Sequence, residues 1–276
     1  MTRLFKTDID TITAQMNTYD SIFQKQTGYT MEEIARKAAN IHDFPQKPSV
    51  AAIPVTSGLG IISGFAQTVA AILHHCHVDA EATPRSDVTG LQLACQNGRQ
   101  IAFMADDDTF TAIGTSKPLL SDNGYATGQG FATALCAAMK SRGIAPRGKE
   151  ALVLGAGPVG TAAAQTLMKA KMKVAVYDID IRKSQRLAET IRADHCLQET
   201  PDYRSYRYIV DATTAGDFID DQDVTPDTII AAPGMPRGVS DAACQKATVI
   251  HNTLELGVMT MYYQCVRQME DLQIAG

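Results

Sequence analysis

The residues that could do chemistry in this chain fall at three places. The first is Gly155-Ala156-Gly157-Pro158-Val159-Gly160, a G-x-G-x-x-G turn between an apolar run, Ala151 to Leu154, and an alanine-rich helical pattern. In such a turn the first glycine permits the sharp strand-to-helix bend. The second lets the backbone approach a pyrophosphate, and the third lets helix and strand pack closely. Free N–H groups at the start of the new helix then hold the phosphates. A lone glycine turn is a weak signal, and its context strengthens it. A second apolar run, Val174 to Tyr177, ends in Asp178, 18 residues past Gly160 (178 − 160). That is near the ~20 expected for a carboxylate on the adenosine ribose hydroxyls. Asp178 would repel a 2′-phosphate, which favours NAD over NADP, with Arg182 and Lys183 close by as the opposing charges. Thr213 follows a strand ending in Asp211-Ala212. Pro233-Gly234 belongs to a rigid turn, Ala232 to Pro236, that could cover the nicotinamide.

The second place is a pair of strand ends nearer the N-terminus. Val55-Thr56-Ser57-Gly58 follows an apolar strand pattern, and its hydroxyls either cap the next helix or face a ligand. Asp106-Asp107-Asp108 is the most charged point of an apolar region. It reads as a solvated loop or as a carboxylate poised to bind a substrate ammonium. The third place is Glu255, which opens the last helix. A glutamate in a first turn is favourable without any function, and this one also follows a strand of the nucleotide-binding half. His74-His75-Cys76-His77 looks like a metal cluster, but sequence neighbours point to different helix faces, so no metal is expected. Tyr203, Tyr206 and Tyr208 read as edge packing.

The elements that position these groups form an α/β chain. Residues 1–48 read as a helical arm: one helix from about Thr7 to Gln26, then a second opened by the capping box Thr30 to Glu33 and closed by Pro45 and Pro48. The arm either packs on the body or closes over a site. Residues 49–145 read as a βαβαβ substrate domain. Its strands are Val50–Val55, Val78–Ala82 and Gln100–Met104, with a helix following Thr56–Gly60 directly and another near Ser86–Asn97. Its sheet should be parallel. Residues 106–123 read as loop-rich, and a connecting helix follows from about Tyr125 to Arg142, where Gly128 permits close approach of another backbone. Residues 146–276 read as a Rossmann dinucleotide-binding domain with a C-terminal bridging helix, about Leu256 to Leu272. The fold class is therefore α/β: a C-terminal Rossmann domain and a smaller N-terminal βαβαβ domain preceded by two helices. In open parallel sheets ligands bind at the carboxyl ends of the strands, where the candidate groups of both halves lie.

Composition narrows the partners. The net charge of −5 gives no reason to expect nucleic acid or an anionic membrane. No apolar run approaches 18 residues, the span of a membrane helix, and the N-terminus lacks a signal-peptide core. Six cysteines without a C-x-x-C pair read as free thiols in a reducing compartment, which points to cytoplasm. The sequence leaves open whether the chain is a monomer or a homodimer.

Ile53-Pro54-Val55-Thr56-Ser57-Gly58, Met104-Ala105-Asp106-Asp107-Asp108-Thr109-Phe110, the Thr127-Gly128 helix, the nucleotide turn and Leu254-Glu255-Leu256-Gly257 together resemble the pyrrolysine synthase family over nearly the whole chain. Leu59 and Pro158 depart from the family's pattern. The resemblance implies an NAD-dependent dehydrogenase of two α/β parts acting on a lysine-derived isopeptide, 3-methylornithyl-lysine. The terminal amine is oxidised, ammonia leaves, and the chain cyclises to a pyrroline ring. It also implies that Leu4 lies on a closing helix, that Val55, Thr56, Ser57 and Asp106 surround substrate, and that Glu255 meets cofactor and substrate. An ammonium has a reference pKa near ~10.4 and a carboxylate ~3.9, so direct proton transfer in water would cost about 9 kcal/mol. Asp106 is therefore expected to act in a closed, desolvated site, through a water. The rival readings are a shikimate dehydrogenase-like enzyme and a nucleotide-sensing Rossmann protein without turnover. Asp122-Asn123-Gly124 faintly resembles a shikimate dehydrogenase motif. That family uses a lysine in its first domain, and none occurs here between Lys47 and Lys117.

Overall fold

The computed structural model describes residues 4–42 and 46–274. Pro45, expected to close the helical arm, lies outside the described residues. The chain divides into two compact units. The first comprises Met1–Asp20, Met31–Ala126 and Leu254–Gly276; the second comprises Ser21–Thr30 and Thr127–Thr253.

In the first unit, α1 (Lys6–Ile9) and α2 (Ile12–Thr27, to Asp20 in this unit) bury Ile9, Ile12 and Met16. The single helix expected over 7–26 is thus two, broken at Asp10-Thr11. The Asp8 carboxylate closes the first turn by accepting the Phe5 N–H at 2.6 Å. After α3 (Met31–Ala38) come β1 (Val50–Ile53), α4 (Phe65–His75), β2 (Ala80–Ala82), α5 (Asp87–Gln96) and β3 (Ile101–Ala105). β1 pairs in parallel with both β2 and β3, the expected βαβαβ unit. The stretch 106–123 is not all loop. β4 (Phe110–Gly114) and β5 (Leu120–Asp122) extend the sheet antiparallel, in the order β2-β1-β3-β4-β5. Phe110 and Ala112 are buried while Thr111 and Ile113 are only partly so, a period-2 pattern masked in sequence by flanking Asp, Gly and Pro. Every residue of β1 is buried, because helices cover both faces. Ala51, Ile53, Ala102 and Met104 cluster with Leu91 and Ala94 of α5. On the alternate face Phe110 meets Phe65 of α4 and Phe103 edge to face. The last helix, α10 (Glu255–Ile274), packs here against α3, α4 and β4, so it belongs to the first unit rather than to the Rossmann half.

α4 does not start directly after Thr56–Gly60. Gly58, Gly60 and Gly64 all have positive φ, a left-handed conformation that interrupts a helix, so an irregular loop spans 54–64.

In the second unit, α6 (Asn123–Ser141, from Thr127 in this unit) leads to β6 (Glu150–Leu154), α7 (Pro158–Lys169), β7 (Lys173–Tyr177), α8 (Ile181–Ile191), β8 (His195–Cys196), β9 (Tyr208–Asp211), β10 (Ile229–Ala231), α9 (Asp241–Lys246) and β11 (Thr248–Ile250). All strands are parallel, in the order β11-β10-β9-β6-β7-β8. Numbered from β6, that is 6-5-4-1-2-3, the Rossmann topology. A Cβ at Gly128 of α6 would lie 2.1 Å from the Val159 carbonyl of α7, so the close approach expected at this glycine is made by the nucleotide helix. Tyr203 stacks edge to face on Phe218. All six cysteines are free. Among the described residues no helix is long and apolar enough to cross a membrane.

Candidate active site

The second unit gathers its candidate groups at the carboxyl ends of β6, β7, β9 and β10. Gly155 turns with φ +89°, open to glycine at little cost. A Cβ at Gly160 would lie 1.8 Å from the Gly155 carbonyl, so helix and turn touch as the motif requires. At Gly157 a Cβ would meet nothing within 4 Å, the open face a pyrophosphate needs. Pro158 opens α7, where a missing N–H costs nothing; Val159 and Gly160 supply the donors behind it. Asp178 stands beside the turn. Its Oδ2 accepts the Ala156 N–H at 2.7 Å and its Oδ1 accepts the Asp180 N–H at 2.8 Å. The residues present thus fit a dinucleotide: a phosphate cradle, and a carboxylate at the ribose position.

Thr213, Pro233 and Gly234 follow β9 and β10. The Thr213 N–H and Oγ1 both donate to Asp211 Oδ1, at 3.1 and 2.7 Å. The Gly238 N–H donates to Asp211 Oδ2 at 3.0 Å, and the Gly234 N–H donates to the Asp211 carbonyl at 3.1 Å. Sequence reasoning passed over Asp211. The one signal for it was a carboxylate inside an otherwise apolar strand. His251, after β11, donates from Nδ1 to the Ala232 carbonyl at 2.7 Å, and burial pushes its imidazole below the usual value. The Met235-Pro236 peptide is cis.

In the first unit Val55 is half-buried and Thr56, Ser57 and Gly58 are exposed. Two carboxylates that the sequence left without roles hold this loop. Asp87 accepts the Thr56 N–H and Oγ1–H, each at 2.8 Å, from a left-handed backbone with φ +55°. The two bonds from Thr56 hold its carboxyl below the usual carboxylate range. Asp107 Oδ2 accepts the Leu59 N–H at 2.6 Å and fills the space beside Gly58, where a Cβ would come within 2.2 Å of it. The Ser57 loop and the aspartate turn are therefore one assembly.

Asp106 itself closes the β3–β4 hairpin. Its Oδ1 accepts the N–H groups of Asp108 and Thr109, at 2.9 and 2.8 Å, while Oδ2 has no hydrogen-bond partner among the described residues. It is half-buried rather than closed off. Glu255 is 1% exposed, and its Oε2 accepts the Leu254 N–H at 2.8 Å, so one oxygen is spent on its own helix start. Leu4 is half-buried, just ahead of α1. His75 pairs with Asp20 at 3.5 Å. Among the described residues no group of three His, Cys, Asp or Glu could hold a metal ion.

Residues 8–120 match the N-terminal domain of the pyrrolysine biosynthesis protein PylD. The chain is 29% identical over 265 residues to the pyrrolysine synthase of Methanosarcina acetivorans, covering 95% of this chain and 99% of that protein. The pyrrolysine synthase of Methanosarcina barkeri is also 29% identical over 265 residues, 95% of this chain and 97% of its own. Over nearly its whole length the chain is similar to these pyrrolysine synthases. Residues 123–250 match the C-terminal domain of the alanine dehydrogenase/PNT group. Quinate dehydrogenase from Corynebacterium glutamicum, solved in complex with NAD, shares the fold at a TM-score of 0.53 and 15% identity, over 84% of this chain and 100% of that one. Thr56, Ser57 and Asp106 lie within the PylD-type N-terminal domain. The glycine turn, Asp178, Thr213, Pro233 and Gly234 lie within the Rossmann match. Leu4 and Glu255 fall outside both matched domains.

Proposed function

We propose that this chain is an NAD-dependent amine dehydrogenase of pyrrolysine biosynthesis. It oxidises the terminal amine of 3-methylornithyl-lysine, releases ammonia and forms the pyrroline ring. The observation that carries the reading is the pairing, in one chain, of a PylD-type domain bearing Ser57 and Asp106 with a glycine turn fit for a dinucleotide. NAD, when bound, supplies the two-electron acceptor for the C–H bond beside the amine. Gly157 and the N–H groups of Val159 and Gly160 hold its pyrophosphate. Asp178, carrying a negative charge where a 2′-phosphate would lie, selects NAD over NADP.

The first unit handles the cation. Oδ2 of Asp106 receives the substrate ammonium, while Oδ1 stays committed to the hairpin. The ammonium must lose a proton before the carbon can give up hydride, and Asp106 passes that proton to a water. Bound substrate excludes bulk water from this pair. Ser57, exposed on its clamped loop, orients the isopeptide.

The test follows NADH absorbance when the chain is mixed with NAD and 3-methylornithyl-lysine or ornithyl-lysine. Reduction with these dipeptides, and a slower rate with NADP, is expected. Turnover of shikimate with NADP and none of either dipeptide would overturn the assignment. Asp106→Asn keeps the hairpin acceptor and removes the charge, so turnover should fall at least ~10²-fold with NAD binding intact. Near-normal activity in that variant would remove Asp106 from the mechanism.

A further inference from the structure

We infer that Asp211 is the positioning residue for the nicotinamide end of the cofactor site, an inference that rests on the dehydrogenase reading above. Asp211 ends β9 and is wholly buried. A buried carboxylate is costly unless it is paired or fully hydrogen-bonded. No lysine or arginine pairs with it among the described residues. Three donors compensate instead: the Thr213 N–H, the Thr213 hydroxyl and the Gly238 N–H. Burial still pushes its carboxyl above the usual range.

Those donors belong to two different loops, one after β9 and one after β10. The main-chain carbonyl of Asp211 takes the Gly234 N–H as well. One residue therefore fixes Thr213, Gly234 and Gly238 against each other. One of these, Gly234, belongs with Pro233 to the turn read as covering the nicotinamide, and Thr213 is a candidate cofactor-binding residue. The packing leaves no slack: a Cβ at Gly238 would come within 2.4 Å of Asp211 Oδ2. Stability alone explains the arrangement poorly, because a well-packed apolar side chain at such a site is often as stable or more so. A planar acceptor facing two loops at once sets their separation, and no apolar residue can do that. Asparagine cannot either, since its amide nitrogen would face a second donor at Thr213 or Gly238.

The experiment compares two ligands, NAD and ADP-ribose, which lacks the nicotinamide ring, by direct binding to wild type and to Asp211→Asn. The expected result is NAD binding weakened about tenfold, the scale of a lost hydrogen bond to a charged group, with ADP-ribose changed less than ~twofold. Thr213→Val should move NAD in the same direction, and Thr213→Ser should restore it. These two variants decide the matter if Asp211→Asn does not fold. Equal loss of both ligands would make Asp211 a fold residue only, and no change in either would give it no part at all. Either result overturns the inference while leaving the dehydrogenase reading in place. A wild-type chain that binds neither ligand removes both.

Discussion

The glycine turn of the second unit and the 54–64 loop of the first are both at the carboxyl ends of parallel strands, and they are held in opposite ways. The turn is fixed by what its residues lack. Gly160 packs on the Gly155 carbonyl and Gly128 on the Val159 carbonyl, with no room for a side chain. The loop is fixed by what other segments bring to it, the carboxylates of Asp87 and Asp107. Steric fixing fails all at once when a methyl group is added. Fixing by hydrogen bonds fails piecemeal and responds to charge. The two regions should accordingly answer mutation on different scales and in different readouts.

The largest effect is expected in the turn. Gly160→Ala forces a Cβ to 1.8 Å from a carbonyl oxygen, and neither atom belongs to a side chain that could rotate away. We expect a stability loss of at least ~3 kcal/mol, at or beyond the usual cost of overpacking, together with loss of NAD binding. Urea unfolding and dinucleotide titration measure both. A variant of near-normal stability would mean that the turn yields as readily as the loop, and the contrast would collapse.

The same difference explains what the sequence made legible. A steric rule leaves its mark in consecutive residues, so the turn, the spacing to Asp178 and the Rossmann class of the second half were readable from sequence. The loop's supports come from Asp87 and Asp107, 31 residues from Thr56 and 48 from Leu59, and no local pattern joins them. Asp107 looked like one of three equivalent aspartates; only the hairpin made by β4 separates its task from that of Asp106. β4 and β5 were missed because a pair of short antiparallel strands depends on its neighbour more than on its own residues. Asp211 was hidden for a related reason, since its partners sit on two loops far apart in sequence. Glu255 is buried with one oxygen bonded to its own helix start, which a glutamate at a helix opening does not reveal in sequence.

An intermediate effect is expected at the loop. Gly58→Ala combines a φ of +69° with a Cβ only 2.2 Å from Asp107 Oδ2. That oxygen ends a movable side chain, so it can swing away, but only by leaving the Leu59 N–H. Asp107→Asn and Gly58→Ala should therefore resemble each other: KM for the dipeptide raised several-fold, with NAD affinity unchanged. Asp87→Asn keeps one acceptor for Thr56 and should raise KM less than Asp87→Ala does. An Asp87 variant that weakened NAD binding as much as dipeptide binding would break the division of labour between the two regions.

The smallest effect separates the regions by pH. His251 supports the Ala232 turn as a neutral donor, and its pKa in the folded chain lies below the usual 6.5. The unfolded chain therefore takes up this proton first as pH falls. The stability due to neutral His251 is complete above 6.5 and declines below it, with a slope of at most about 1.4 kcal/mol per pH unit, the limit for one proton. Asp87 behaves differently in sign and window. Its folded pKa lies below 3.8, so its clamp is intact above 3.8 and is lost only as pH falls through the lower value. Asp211, raised above 3.8, opposes it just above that point, where the folded chain binds the proton first. Between pH 7.5 and 5.5, values chosen to span roughly one unit either side of the imidazole reference, His251 alone of these three groups should respond. Urea midpoints in that interval should fall for wild type and fall less for His251→Asn, which keeps a donor for the Ala232 carbonyl but does not titrate. KM for the dipeptide, once corrected for ionisation of the substrate itself, should stay flat in Asp87 variants and wild type alike. A loop that loosened over the same interval would place the titrating support in the first unit, and the two modes of fixing would no longer map onto the two halves of the chain.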